Sequence, residues 1–260
     1  MIYNNVLNEL ISREIAGIDY LCPNEDRNTL LDLFKEINFK CNTNIKYLAE
    51  LDTFHISGAG EIVACYIDKF TSQSIKAYLI PHLIFDKIKD CDMIILKMYE
   101  NFRQSAEFVS KPGDSSPTHI SSRYDGAFYK MKSKRIINEL VDVVSCPRDA
   151  FYLPLTIKML ASWRIPELKN ILLYYLKPDA ILMEDVGLYS DNQTYFPSFS
   201  YIRNEIIFTA INDLKYYPSQ EVSEAIYPYL FDPNCEIRET ANRIYKKIIE
   251  RQGERDNTRR

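Results

Sequence analysis

Residues 232–241 of the chain read Asp-Pro-Asn-Cys-Glu-Ile-Arg-Glu-Thr-Ala. Asp232 is a helix-capping residue type, and Pro233 after it suits the first helical position, where its missing N–H forfeits no hydrogen bond. Apolar residues then recur three or four positions apart, at Ile237, Ala241, Ile244 and Ile248. This spacing places them on one face and predicts an amphipathic helix.

The same helical period extends over most of the chain. One example is the segment 91–106, whose apolar positions are Cys91, Ile94, Ile95, Met98, Phe102 and Ala106. Glycine is scarce, with 7 residues, and neither an Asn-Gly nor a Gly-Gly pair occurs. Hairpins and bulges of strand-rich folds use such glycines, so the sequence predicts an all-α protein.

Two polar stretches interrupt the pattern. The first, at about 110–130, begins with the loop-forming residues 111–117, and the second, at about 178–199, begins with a Lys-Pro-Asp sequence. We expect one helical-repeat domain over residues 1–252, with loops at both interruptions. The polar tail, residues 253–260, has nothing to bury, and we expect it to be disordered.

The last third of the chain contains an internal sequence repeat. The helix start at Glu236-Ile237-Arg238 follows a similar start at Tyr201-Ile202-Arg203 by 35 positions. A third start, at Cys146-Pro147-Arg148, lies 55 positions before the second, and the second interruption of about 20 residues accounts for the difference. The spacing therefore indicates repeated helix pairs.

With these residues the chain resembles the HEAT-repeat family and, more loosely, armadillo-like proteins. In that family a turn residue precedes a helix that begins with an apolar residue and an arginine, as at 232–241 here. The resemblance covers about 146–250, although the spacing is shorter than the 40–47 residues of typical HEAT units. It implies a right-handed α-solenoid of antiparallel helix pairs, whose concave face binds proteins.

Composition and charge restrict the possible partners and the cellular location. The net charge of −4 argues against general nucleic-acid binding, which uses an excess of Lys and Arg. No apolar run approaches the ~18 residues of a membrane span, and the N-terminus lacks the pattern of a signal peptide. The six cysteines form no C-x-x-C motif. We expect a cytoplasmic protein with reduced cysteines and no membrane partner.

The residue types that carry catalysis do not form a known pattern. The three histidines, His55, His82 and His119, are far apart in sequence and fit no zinc motif. The only G-x-G, at residues 58–60, lacks the rest of a nucleotide-binding fingerprint. The sequence therefore predicts no enzyme activity, no metal site and no cofactor.

The second interruption combines acidic and aromatic residues, with no Lys or Arg between Lys177 and Arg203. Aromatic side chains dominate the energetics of protein interfaces, and carboxylates suit a basic partner. The candidate partner-binding residues are Glu184, Asp185, Tyr189, Asp191, Tyr195 and Phe196. Alternatively, these rings cover the neighbouring helices and the carboxylates are simply hydrated.

The end of the first interruption is basic and aromatic. The candidate basic patch consists of Arg123, Lys130, Lys132, Lys134 and Arg135. Such residues, interleaved with aromatic rings, contact phosphates and bases in nucleic-acid-binding proteins. The alternative is a solvated helix start.

Three functions remain open from the sequence. The leading hypothesis is a non-catalytic module that binds another protein, and a narrower form is a stoichiometric inhibitor, such as an immunity protein that masks a toxin. The alternative is a nucleic-acid-binding protein similar to the HEAT-like DNA glycosylases. The third is an enzyme of small molecules whose site appears only in the fold.

Overall fold

The computed structural model describes residues 24–53, 56–105, 108, 116–186 and 198–258. All regular elements in these ranges are helices, and the ranges contain no β-strand, which confirms the all-α prediction. The described residues form two compact units, one ending at Met131 and the other beginning at Lys132. One continuous domain over residues 1–252 stays a prediction.

The first unit contains six described helices. They are α1 (Asn24–Cys41), α2 (Leu48–Thr53), α3 (Ala59–Tyr66), α4 (Gln73–Phe85), α5 (Cys91–Gln104) and α6 (Ser116–Met131). Each neighbouring pair from α3 to α6 is in contact, and alternate helices also pack together: α1 with α3, α2 with α4, and α4 with α6.

Helix α6 corrects the expected loop at about 110–130, because residues 116–131 are helical. Its buried stripe consists of Ile120, Tyr124, Ala127 and Phe128, which are at most 3% exposed. Apart from Ile120, aromatic and small residues form this stripe, whereas aliphatic residues mark the other helices. Because this weak aliphatic pattern follows Pro- and Ser-rich residues, the sequence predicted a loop for the whole segment.

Aromatic packing joins α5 to α6. Tyr99 and Tyr124 meet with ring centroids 5.2 Å apart, and Phe102 packs against Phe108 at 4.9 Å. The rings of Phe102 and Tyr124 are stacked at 5.8 Å. Edge-to-face pairs are worth about 0.5–1.5 kcal/mol each beyond their burial, so this cluster fixes the position of α6 in the unit.

The second unit contains seven described helices. They are α7 (Ile137–Val144), α8 (Pro147–Tyr152), α9 (Pro154–Ser162), α10 (Pro166–Tyr175), α11 (Phe199–Asp213), α12 (Gln220–Ile226) and α13 (Cys235–Thr258). Three of them begin with proline, whose backbone is preorganised for the first helical position. Alternate helices pack here too: α7 with α9, α9 with α11, and α11 with α13.

Three side-chain contacts join residues at a nearly constant separation in sequence. The Tyr217 hydroxyl donates to the Ile165 carbonyl (2.8 Å), and the Tyr229 hydroxyl donates to the Leu176 carbonyl (2.6 Å). Between them, Lys169 forms an ion pair with Glu221. The separations are 52, 53 and 52 residues. A constant separation means that segments 165–176 and 217–229 run in parallel, side by side.

The last helix, α13, buries the face that the sequence predicted, but it begins and ends at residues other than the predicted ones. Its predicted core positions, from Ile237 to Ile248, are at most 2% exposed. Asn234, rather than Asp232, caps the helix, since its side-chain oxygen accepts the Glu236 N–H at 3.0 Å. The helix continues to Thr258, beyond the boundary at 252 that we expected, because good helix formers such as Glu254 and Arg255 follow Gly253 in the tail.

Candidate binding groove

An open groove of about 560 Å³ lies between helices α4 and α6 of the first unit. The α4 wall consists of Ile80, Pro81, Ile84 and Phe85. The α6 wall consists of Ser122, Arg123, Gly126, Ala127 and Lys130. The volume falls within the range of ligand pockets, about 300–1,000 Å³, and the walls are predominantly apolar, as binding sites usually are.

Small residues on α6 create the groove. The side chains of Ser122 and Ala127 are short, and Gly126 has none. Phe85, on the opposite wall, is 56% exposed, although it is one of the largest apolar side chains of the unit. An apolar ring at the mouth of an apolar groove is typical of a surface that another molecule covers.

Within the described residues, no contact requires glycine at position 126. It lies inside α6, and its backbone is not in the left-handed region that favours this residue. A Cβ at this position would have no atom of the described residues within 4 Å, apart from its own helix and immediate neighbours. A helix-interior glycine costs about 1 kcal/mol relative to alanine. Among the described residues, the feature that accompanies this cost is the open space in the groove.

Two cations lie on the α6 wall. The Arg123 guanidinium lies over the ring of Tyr78, 4.2 Å from its centroid. The Tyr78 hydroxyl is in turn 3.2 Å from Nε2 of His119, on the first turns of α6. This stack of side chains holds Arg123 at the edge of the groove. Lys130 is exposed about two helical turns further along α6. The described lining residues include no carboxylate.

The structure divides the predicted basic patch. Arg123 and Lys130 line the groove of the first unit. The exposed Lys132, Lys134 and Arg135 belong to the second unit, in the segment before α7. The backbone N–H of Arg135 donates to the hydroxyl of Ser133 at 3.2 Å, so this part of the patch is a local turn.

The predicted acidic and aromatic surface is described only at its beginning. Glu184 and Asp185 lie in the 3₁₀ turn Glu184–Val186. The Asp185 carboxylate is exposed and accepts the Leu182 N–H at 2.9 Å, so it caps its own turn. Tyr189, Asp191, Tyr195 and Phe196 lie outside the described residues.

A second, smaller cavity of about 280 Å³ lies between α1 and α3. The thiols of Cys41 and Cys65 line it, together with the ion pair of Lys40 and Glu36. Burial raises the pKa of Cys41, which disfavours the reactive thiolate form. Across the described ranges, no group of three or more His, Cys, Asp or Glu side chains is arranged to hold a metal ion.

No family model, curated protein or solved structure matches the chain. Within the part of the chain that the structure describes, every helix is too short or too polar to cross a lipid bilayer. Because no known protein matches, the geometry and charge of the groove are the basis for inferring what it binds.

No sequence pattern predicted the groove itself. The Asp125-Gly126 pair lies within the interruption at about 110–130, where the sequence predicted a loop. Once the segment is known to be helical, the isolated glycine becomes a signal, because a helix interior rarely uses one without a packing or functional reason.

Proposed function

We propose that this chain is a non-catalytic protein-binding module of stacked helix pairs, and that the groove between α4 and α6 is its binding site. The observation that carries the proposal is an open, mainly apolar groove with Phe85 exposed at its mouth and two cations on one wall. Grooves between helices are used to bind amphipathic segments of other proteins.

The proposed architecture is a right-handed α-solenoid of antiparallel pairs that resembles HEAT repeats. Two features support it: alternate helices pack together within each unit, and segments 165–176 and 217–229 lie in parallel at a constant sequence separation. Corresponding helices of successive repeats stack in this way in solenoids.

Site-specific photo-crosslinking in the native host tests the proposed function. A benzophenone amino acid replaces Phe85, and a control variant carries it at Phe39, an 88% exposed phenylalanine on α1, away from the groove. We expect a discrete protein adduct at position 85 only, whose partner binds the purified chain with 1:1 stoichiometry. Equal adducts at both positions, or none at position 85, would refute groove-mediated protein binding.

The inhibitor function and the nucleic-acid-binding function can each be tested separately. A stoichiometric inhibitor or immunity protein would abolish its partner's activity at a 1:1 ratio. A nucleic-acid-binding protein would bind duplex DNA at micromolar concentration in low salt. The groove favours the protein partner, because two cations are few for a surface that binds the phosphate backbone.

A further inference from the structure

The identity of the groove's occupant follows from its shape and charge, and this inference rests on the proposed function. A Cβ at Gly126 would meet open space on the α6 wall, and Ile84 and Phe85 belong to the opposite wall of the same groove. A side chain at position 126 would fill that space from within and would also favour the helix. Because position 126 has no side chain, the space is open to an apolar group of a bound partner.

The charge of the lining selects the partner. The chain as a whole carries a net charge of −4, yet the described lining residues contribute two positive charges and no negative one. Arg123 is held against Tyr78, and Lys130 is exposed at the other end of the α6 wall. Carboxylates are the complementary groups on a protein partner.

The length of the groove indicates the conformation of the bound segment. The α6 wall runs from Ser122 to Lys130, about 12 Å at the helical rise of 1.5 Å per residue. This length matches two turns of a bound helix, on which apolar residues at i, i+3, i+4 and i+7 share one face. We propose that the groove binds an acidic amphipathic helix of a partner protein, with one large apolar side chain over Gly126 and carboxylates facing Arg123 and Lys130.

Two fluorescent probe peptides test this proposal with the full chain. Both form amphipathic helices with leucine at i, i+3, i+4 and i+7; one has glutamate at the flanking positions and the other has lysine. We expect fluorescence anisotropy at low salt to show at least tenfold tighter binding of the glutamate peptide. Equal binding of the two peptides, tighter binding of the lysine peptide, or no binding of the glutamate peptide would overturn the proposal.

Variants of the groove separate steric from electrostatic contributions. Gly126→Met should weaken binding of the glutamate peptide at least tenfold, because its side chain occupies the open space, whereas Gly126→Ala should change it less than threefold. Lys130→Glu should weaken binding about fivefold or more. The matched control is Lys97→Glu on α5, an equal change of charge at an exposed lysine outside the groove, which should have less than a twofold effect. Circular dichroism and denaturation verify the fold of each variant.

The outcomes distinguish this inference from the proposed function. A partner captured at position 85 that binds Gly126→Met as tightly as the wild type, or through a basic segment, would refute the acidic helix and leave protein binding intact. Self-association of the chain that Gly126→Met abolishes would likewise overturn the proposal, since the occupant would then be a second copy.

Discussion

The backbone N–H of Gly60 donates a hydrogen bond to the carboxylate of Asp86, with its nitrogen 2.6 Å from Oδ2. Gly60 lies in the first turn of α3, where amide groups have no partner within the helix, and Asp86 follows the last residue of α4. The carboxylate caps α3 from a neighbouring helix. Gly60 in the Gly-Ala-Gly sequence at 58–60 is thus a site of close backbone approach, which the sequence analysis did not predict.

Gly60→Ala should destabilise the first unit. A Cβ at this position would be 2.6 Å from the His82 carbonyl oxygen and 2.8 Å from Cβ of Asp86, so α3 and α4 would have to move apart. We expect a loss of about 1–3 kcal/mol in the free energy of unfolding, measured with urea.

The matched control is Gly126→Ala, at the other helical glycine among the described residues of the first unit. Its Cβ would meet open space, and alanine favours the helix by up to about 1 kcal/mol over glycine. The two substitutions should therefore have effects of opposite sign. Equal effects would show that helix propensity, rather than the approach of α3 to α4, decides both.

Asp26→Asn should weaken the junction between α1 and α4. The Asp26 side chain is 1% exposed, and its two oxygens accept the N–H groups of Thr71 and Ser72 at 2.8 and 2.7 Å. An amide can accept only one of them well, so we expect a loss of about 2 kcal/mol in urea denaturation. Asp32→Asn, which breaks an exposed ion pair with Lys35, should cost less than about 0.5 kcal/mol.

Stability of the second unit should depend on the protonation of Asp213. Burial raises the pKa of this carboxyl group from its ordinary value of 3.8 to about 6, although Lys215 and Lys158 lower it in part. Between these two values the folded state binds the proton that the unfolded state has lost. The contribution of Asp213 to stability therefore decreases as the pH rises from about 4 to 6.

Asp213→Asn removes this dependence while retaining the shape of the side chain. From pH 5 to pH 7.5, the variant should gain roughly 1.4 kcal/mol in unfolding free energy relative to the wild type. Urea denaturation at both pH values measures the change. A variant that gains no stability relative to the wild type between pH 5 and pH 7.5, or that loses stability relative to it, would contradict the assignment.

Tyr217→Phe and Tyr229→Phe test the parallel arrangement of segments 165–176 and 217–229. Each substitution removes one hydroxyl that donates to a backbone carbonyl, and we expect a loss of about 1 kcal/mol for each. Tyr174→Phe is the control, since this side chain is 48% exposed and should change stability by less than about 0.5 kcal/mol. Near-zero effects at both test positions would argue that the hydroxyls remain hydrated in solution.

The helices that the sequence predicted best are those with aliphatic stripes. In α5 and α13 the predicted faces are buried at Ile95, Met98, Phe102 and the positions from Ile237 to Ile248. Helix α6 was missed because its stripe is aromatic and its neighbours favour turns. The period of a helix's apolar residues can be recognised in the sequence. The residues that pack against an aromatic face, here Tyr99 and Phe102 on α5, cannot be identified from it.

The sequence by itself determined that this chain is helical, because the spacing of apolar residues is a local property that each helix expresses on its own. Only the tertiary structure decided where a binding site can lie. The groove exists because α4 and α6, separated along the chain by α5, pack side by side, with Phe85 on one wall and Gly126 on the other. Such a juxtaposition depends on how distant side chains fill volume together, which no local pattern encodes.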